Sequence, residues 1–301
     1  MPEPHHNPPP AKPPLSAYAI LFLPPIFWSS NFIVGKALVG EVPPWTLNTG
    51  RFAVSALILL PWLLYRREPP PPRRIWLPLV LMSITGVFAF NAVLYIGLRY
   101  TSAINATLVN ATTPVTTTLI AHFLIREEIT RRRVIGIALS FIGIGWIVGR
   151  GSLAALLALN FNLGDVIVFF ATSLWGFYMV MAKPMMRHLS PPALTAVTTI
   201  IGALFLLPAA ALELSVVPAD LARPEVIAAI LYLGIFPSLL SFTLWNRSIR
   251  TFGPSRASLA YNTLPLFAVI LAGIFLGESL RLYQIVGGAI IIAGVVIGTR
   301  D

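Results

Sequence analysis

Amide, hydroxyl and aromatic side chains recur at helical spacing inside otherwise apolar runs of this chain. One run holds Trp28 and Asn31, and another holds Trp175 and Tyr178, each pair three residues apart. Residues three or four apart lie on one face of a helix. Lipid does not solvate such groups, so we expect them to face a cavity or one another. In a cavity, the rings would supply apolar contact, while amides and hydroxyls would hold the polar ends of a small solute.

The same pattern occurs in six of the apolar runs and gives twelve candidate binding residues. They are Trp28, Asn31, Phe88, Asn91, Tyr95, Thr112, Trp175, Tyr178, Ser241, Trp245, Tyr261 and Asn262. The alternative is hydrogen bonding between the helices of a closed bundle, a role that Ser and Thr often serve. The asparagines interleaved with aromatic rings favour the cavity, and we expect a small amphipathic molecule as its ligand.

Two prolines lie within apolar runs, at Pro114 and Pro265, and predict breaks in the helices there. A proline cannot donate to the carbonyl four residues before it, which frees the carbonyls of Asn110 and Tyr261. Backbone groups freed at mid-membrane depth persist only where they line a polar cavity or find other partners. A plain kink that helps packing is the alternative.

The apolar runs lack the groups that catalysis needs. All eleven acidic residues lie in loops or at the ends of runs, and the chain has no cysteine. His122 and His188 have no nucleophile and acid at helical spacing, and no GxxxxGK[ST] loop is present. We therefore expect no catalytic site, no cofactor and no metal site.

The elements that must position these side chains follow from composition. Of the 301 residues, 56% are hydrophobic and 11% are charged, against about 25% charged in soluble domains. The apolar residues form runs of roughly 20, long enough for a helix to cross the bilayer core. Ten such runs predict an all-α integral membrane protein with ten transmembrane helices: about 17–39, 44–65, 75–98, 101–124, 133–149, 165–183, 192–213, 225–246, 256–276 and 282–299.

The chain is duplicated. Six residues of the first half recur 151 positions later: Ala106, Leu108, Pro114, Glu127, Gly136 and Gly143 match Ala257, Leu259, Pro265, Glu278, Gly287 and Gly294. Each half has five runs, so the second copy must be inverted, an arrangement typical of transporters. The predicted organisation is a disordered Pro-rich cytoplasmic tail (1–16), a first repeat (17–149), a periplasmic linker (150–164) and a second repeat (165–301).

Positive charge is distributed unevenly across the predicted membrane. The net charge is +10; of the 21 Lys and Arg, fifteen fall on one side and five on the other, while Arg51 lies within a run. The excess predicts that both termini are cytoplasmic. It also accounts for the basic composition without a nucleic-acid partner, so the expected partners are a small-molecule substrate and the lipid bilayer.

The fifth and tenth runs are nearly free of polar side chains and rich in glycine. Gly145 with Gly149, and Gly294 with Gly298, form GxxxG patterns that allow close helix contact. We expect these runs to pack against each other as a scaffold. Contact between two copies of the chain is the alternative, so a monomer or a weak homodimer is expected.

With the repeats laid out, the chain resembles the drug/metabolite transporter superfamily, in its ten-helix branch built from two EamA-type repeats. The motif residues are Trp28, Asn31-Phe32, Pro44, Arg51-Phe52, Leu98 to Ala103, Pro114, Glu127 and Gly136, then Trp175, Pro192, Pro265, Phe275 to Glu278, Gly287 and Gly294. The resemblance implies an inner-membrane exporter of amino acids or related metabolites that works by alternating access around a central cavity. The aromatic side chains of the runs lead us to expect a preference for aromatic or apolar amino acids. YddG-like amino-acid exporters belong to this branch.

Two departures from the family pattern concern charged residues. The first repeat reads Arg126-Glu127-Glu128 where Gly-Glu is usual, and Arg51 has no counterpart in the second repeat. The alternatives for function are a drug or nucleotide-sugar type transporter of the same superfamily or, from another class, an intramembrane enzyme.

Overall fold

The computed structural model describes residues 14–37, 41–101, 103–160, 162–276 and 281–300, which form helices and turns with no strand among them. They build ten helical rods, numbered here α1 to α10. α1 is Leu15–Ala37 and α2 is Pro44–Tyr65; α3 runs through Arg73–Ile75, Trp76–Ser83, Ile84–Ala89 and Phe90–Leu98; α4 is Ala103–Asn110 and Thr113–Ile125; α5 is Arg131–Val148. α6 is Leu163–Met185 and α7 is Pro191–Val216; α8 runs through Pro224–Leu233, Gly234–Leu240 and Ser241–Phe252; α9 is Pro254–Tyr261 and Leu264–Leu276; α10 is Leu282–Thr299.

Most of these rods are suited to a membrane. Within the described ranges, eight are long and apolar enough to cross one, and α1 adds a shorter apolar stretch, Leu15–Ser30. α5 begins instead with three consecutive arginines at 131–133. The expected all-α fold of ten helices is confirmed.

The helix boundaries follow local chemistry. Pro44, Pro191, Pro224 and Pro254 each open a helix, where a missing N–H is harmless and the fixed φ suits the first turn. α1 begins two residues before the predicted start, and α8 continues to Phe252, six residues beyond the predicted end. The predicted linker contains a short helix, Leu153–Leu157. Most of the predicted N-terminal tail lies outside the described residues.

The packing of the rods repeats between the halves. α1 contacts the last segment of α8 and the second segment of α9, and α6 makes the equivalent contacts with α3 and α4. α2 packs against α7, and α5 packs against α10. These contacts are therefore equivalent in the two five-helix repeats.

Carboxylates tie α2 to α7 at both ends of the bundle. Glu213, near the end of α7, accepts hydrogen bonds from the backbone N–H of Thr46 at 2.7 Å and of Trp45 at 3.2 Å, in the first turn of α2. At the other end, Glu68 follows α2 and accepts a bond from the hydroxyl of Ser190, which caps α7, at 3.0 Å. Carboxylates suit helix N-termini because the unpaired N–H groups there carry partial positive charge.

The contact between α5 and α10 is made backbone to backbone at glycines. A Cβ on Gly136 would lie 2.6 Å from the carbonyl oxygen of Gly294, and one on Gly143 would lie 2.7 Å from that of Gly287. The predicted packing is confirmed, but the role given to Gly145 and Gly149 is wrong. Both face Leu156 of the linker. A Cβ on Gly145 would lie 3.7 Å from Cδ1 of Leu156, and one on Gly149 would lie 2.7 Å from its Cγ. The α5 contact uses a seven-residue spacing, two full turns, which a search for GxxxG misses.

We expect Gly136→Ala to lower the stability of the folded protein by about 1–3 kcal/mol, because the methyl group meets backbone that cannot give way. The measurement is the melting temperature of purified protein in detergent. Gly145→Ala is the matched control, since its methyl group has room and alanine favours a helix by about 0.5–1 kcal/mol. Equal stability of the two variants would contradict the close contact.

Candidate functional site

Two broken helices meet at the centre of the bundle. α4 is interrupted at residues 111–112 and α9 at residues 262–263. Each interruption lies just before the proline that predicts it, Pro114 or Pro265. The side chain of Asn262 donates from Nδ2 to the carbonyl oxygen of Ala111 at 3.2 Å. These two residues are equivalent in the repeats, 151 positions apart. The two breaks are therefore in direct contact, close to the local axis that relates the halves.

Threonine hydroxyls satisfy part of the backbone at the breaks. Thr113 donates to the carbonyl of Asn110 at 2.5 Å, and Thr112 donates to that of Val109 at 2.6 Å. In the second repeat Thr263 donates to the carbonyl of Ala260 at 2.6 Å. The carbonyl of Asn110, which Pro114 frees, thus has a hydrogen-bond partner within its own helix. Side-chain hydroxyls commonly bond such carbonyls in transmembrane helices that contain proline.

An aromatic cluster lies beside the breaks; its members are Trp28, Trp175, Tyr178, Phe242, Trp245 and Tyr261. Trp28 is at its centre. The ring centroid of Trp28 lies 5.2 Å from that of Trp245, 5.6 Å from Trp175, 5.7 Å from Tyr261 and 5.9 Å from Phe242, in edge-to-face contacts. Such geometries are favoured for aromatic pairs. A side chain of the first repeat is thereby surrounded by rings of the second.

The cluster is closed in this conformation. All six members are buried, and Trp175 stacks parallel on Tyr178 with centroids 5.1 Å apart. We expect the candidate rings to line a cavity; in this conformation they contact one another, and their binding role stays a prediction. The members are uncharged, so a solute that entered would meet rings, amide and indole groups rather than fixed charge.

Three polar atoms at this site are buried without a hydrogen-bond partner among the described residues. They are Nε1 of Trp175, Nε1 of Trp245 and Oδ1 of Asn262. An unsatisfied buried group costs about 1–3 kcal/mol, and each one in a native structure needs an explanation. Together these atoms offer two donors and one acceptor, which suits a ligand that carries both an acceptor and a donor.

Other candidates lie apart from the cluster. Phe88 packs with Trp45 and Phe205, at centroid distances of 6.0 and 6.3 Å. Asn91 bonds the carbonyl of Val87 in its own helix at 3.0 Å, and Ser241 bonds that of Phe236 at 2.9 Å. The side chains of Asn31 and Tyr95 lie outside the described part of the structure. For these residues, and for Thr112, a binding role remains a prediction.

Residues that the predicted set omits also contribute to the site. Phe242 joins the cluster, and Asn246 donates to the hydroxyl of Tyr178 at 3.1 Å and to that of Thr195 at 3.0 Å. Asn246 is the last residue of the predicted run 225–246. Because α8 continues past it, this amide is fully buried and orients Tyr178.

Widened helical turns occur at matching places in the two repeats. α3 has i→i+5 hydrogen bonding over Ile84–Ala89, and α8 has it over Gly234–Leu240. The two segments end 151 positions apart. Widened turns are rare and occur often at functional sites. One of them meets the aromatic cluster directly, since Nε1 of Trp28 donates to the carbonyl of Pro237 at 2.9 Å.

One end of the bundle, here named the Glu127 end, holds an ion cluster. Glu127, in the turn between α4 and α5, lies 3.4 Å from Nη2 of Arg133 and 3.8 Å from Nζ of Lys183 on α6. A Cβ on Gly253, between α8 and α9, would lie 3.4 Å from both Glu127 and Lys183. The cluster joins the two repeats. Within the described ranges no group of three or more His, Cys, Asp or Glu could hold a metal ion.

Comparisons with known proteins place this geometry in a family. The model of the EamA-like transporter family matches residues 15–149 and 162–300, one copy in each repeat. An uncharacterized transporter of Archaeoglobus fulgidus is 30% identical over 283 residues, covering 94% of this chain and 96% of that protein. The uncharacterized transporter YyaM of Bacillus subtilis is 28% identical over 283 residues, covering 93% and 92%.

Two further comparisons concern substrate and fold. A protein of Chlamydia muridarum named S-adenosylmethionine/S-adenosylhomocysteine transporter is 25% identical over 270 residues, covering 87% of this chain and 85% of that protein. A solved structure, described only as the crystal structure of a protein, superposes with a TM-score of 0.76 at 20% identity, covering 94% and 96%. The latter supports the fold alone.

Proposed function

Because the chain belongs to the EamA-like transporter family, we propose that it exports small amphipathic solutes, foremost amino acids with aromatic or apolar side chains. The solute would pass by alternating access through the aromatic cluster and the two helix breaks. The observation that carries this proposal is the set of buried, unpartnered polar atoms beside the rings, at Trp175, Trp245 and Asn262.

The chemistry of the site suits an amino acid. Its carboxylate would accept from the indole N–H groups of Trp175 and Trp245, and its ammonium group would donate to Oδ1 of Asn262. An apolar or aromatic side chain would replace ring contacts within the cluster, where burial contributes about 25 cal/mol per Å². Because neither charged end meets an opposite charge among the cluster residues, a zwitterion fits better than an ion of either sign.

The setting is a multi-pass protein of a bacterial-type inner membrane. The distribution of Lys and Arg assigns the Glu127 end to the cytoplasm, together with both termini. The partners are the solute and the lipid bilayer, and the oligomeric state is a monomer or a weak homodimer, since the glycine faces of α5 and α10 are used within the chain.

A second candidate is a sulfonium nucleoside. Similar proteins of Chlamydia are named S-adenosylmethionine/S-adenosylhomocysteine transporters, and a sulfonium cation is attracted to the faces of aromatic rings. The adenine ring would stack within the same cluster. This solute carries a net positive charge, which separates it experimentally from a neutral amino acid.

The test is flux of radiolabelled solutes in vesicles that contain the purified protein. We expect efflux of phenylalanine and tryptophan that exceeds protein-free vesicles and that is faster than efflux of serine, without ATP. Transport of S-adenosylmethionine alone would favour the second candidate. Wild-type protein that moves no solute, yet modifies a lipid or a peptide, would replace the transport proposal with an enzyme.

A further inference from the structure

Trp28 and Trp175 occupy equivalent positions in the two repeats, 147 residues apart, but their indole N–H groups are bonded differently. That of Trp28 donates to the carbonyl of Pro237 at 2.9 Å. That of Trp175 is buried with no acceptor among the described residues. The two rings touch edge to face, with centroids 5.6 Å apart. The local axis that relates the repeats therefore passes between two tryptophans in unequal states.

The acceptor of the Trp28 bond also has a counterpart. Pro237 lies in the widened turn of α8, and the 151-residue offset places Gly86 at the equivalent position in the widened turn of α3. Gly86 faces α6, the helix that carries Trp175. Tyr178 lies against it now, so closely that a Cβ on Gly86 would be 2.3 Å from Cδ2 of Tyr178.

Donor and acceptor of a second bond thus lie on facing helices, one helical turn apart. Trp175 precedes Tyr178 by three residues and stacks on its ring. A shift of α6 along α3 by about 4.5 Å, three residues at the α-helical rise, would bring Trp175 to the place of Tyr178. One-turn displacements of one packed helix past another are an established form of conformational switching.

We propose that Trp28 and Trp175 exchange these hydrogen bonds during the transport cycle. In the conformation described here, in which Ser255 at the Glu127 end is fully buried, Trp28 is bonded to Pro237 and Trp175 is unbonded. In the conformation open at that end, Trp175 donates to the carbonyl of Gly86 and Trp28 has left Pro237. The two tryptophans are positioning residues that select the end at which the site opens.

The exchange has a physical basis in the inverted repeat. The two conformations of such a carrier interchange the roles of its halves. An unsatisfied buried donor is unfavourable, and the exchange leaves one indole N–H unsatisfied in each conformation. The cost of the unsatisfied N–H is therefore similar in the two conformations. A carrier needs conformations of similar free energy if it is to pass back and forth between them. The inference rests on alternating access, as proposed above, but not on the identity of the solute.

The test uses a single reporter cysteine in a chain that has none of its own. Ser255, in the first turn of α9 at the Glu127 end, is fully buried, so Ser255→Cys reacts with a maleimide only when that end opens. We combine it with Trp28→Phe or Trp175→Phe, which keep a ring and remove the N–H. Trp28→Phe should raise the rate of alkylation about fivefold, and Trp175→Phe should lower it about fivefold, as the loss of one buried hydrogen bond implies.

Trp146→Phe is the control of identical chemistry. Its side chain lies on the exposed face of α5, outside the aromatic cluster, so the rate should not change. The double variant Trp28→Phe/Trp175→Phe should return close to the original rate. Opposite effects cannot come from a general loss of stability. Changes in the same direction, or none in either variant, would overturn the exchange, and no solute is needed, so a failed flux assay has no bearing on it.

Discussion

Trp175→Ala is expected to reduce the flux of tryptophan and phenylalanine in vesicles about tenfold or more. The change removes the ring that contacts four other members of the aromatic cluster. An aromatic side chain contributes roughly 1.5–3 kcal/mol through its burial, and each 1.4 kcal/mol corresponds to about a tenfold change. Flux of serine should fall less, because a small polar solute makes less ring contact.

Loss of folded protein must be separated from loss of the site, because Trp→Ala in a core costs about 3–5 kcal/mol. Trp175→Leu fills more of the space and should preserve folding while still slowing aromatic solutes. Trp146→Ala is the control of equal size, on the exposed face of α5, and should leave flux unchanged. Trp175 variants that slow serine and tryptophan equally would assign the ring to packing rather than to the solute.

Glu127→Gln is expected to lower the stability of the protein by about 3–5 kcal/mol, the usual effect of removing one partner of a buried ion pair. Arg133 is 3% exposed and would keep its charge after losing the carboxylate with which it pairs among the described residues. The adjacent Glu128 is exposed, so Glu128→Gln is a control of identical chemistry. The readout is the melting temperature in detergent.

The double variant Glu127→Gln/Arg133→Met separates charge from shape. Replacing both partners of a buried pair is often nearly neutral, so we expect much of the lost stability to return. A single Glu127→Gln variant as stable as the Glu128→Gln variant would mean that the ion cluster contributes little to joining the repeats.

The sequence predicted those features of the fold that depend directly on which residue types are present. A helix in lipid must satisfy its own backbone, so ten apolar runs predicted ten rods, and the fixed offset predicted that the second five repeat the first. Proline removes a donor wherever it stands, so Pro114 and Pro265 located the breaks to within a few residues. The tryptophans were identified because a ring with a polar atom is conspicuous in an apolar run.

What the sequence did not reveal depends on packing between distant segments. The widened turns at Ile84–Ala89 and Gly234–Leu240 lack a residue signal of their own, since backbone register there is set by the neighbouring helices. The glycines of α5 that face α10 were misassigned because α5 carries Gly136 and Gly143 as well as the GxxxG pair Gly145 and Gly149. Whether the rings surround a solute or contact one another depends on the conformation. All conformations have the same sequence, so the sequence does not specify which of the two occurs.

The hydrogen bond from Asn262 to Ala111 has a consequence for how the chain is made. At about 5–20 residues per second, the amide of Asn262 is synthesised roughly 8–30 s after the carbonyl that it serves. Throughout that interval the first five helices hold a gap in α4 whose donor has not yet been translated. Insertion of the first repeat is therefore provisional, and α4 is completed only when the ninth helix enters the membrane. A chain that terminates after α5 would keep an unfinished helix in the lipid.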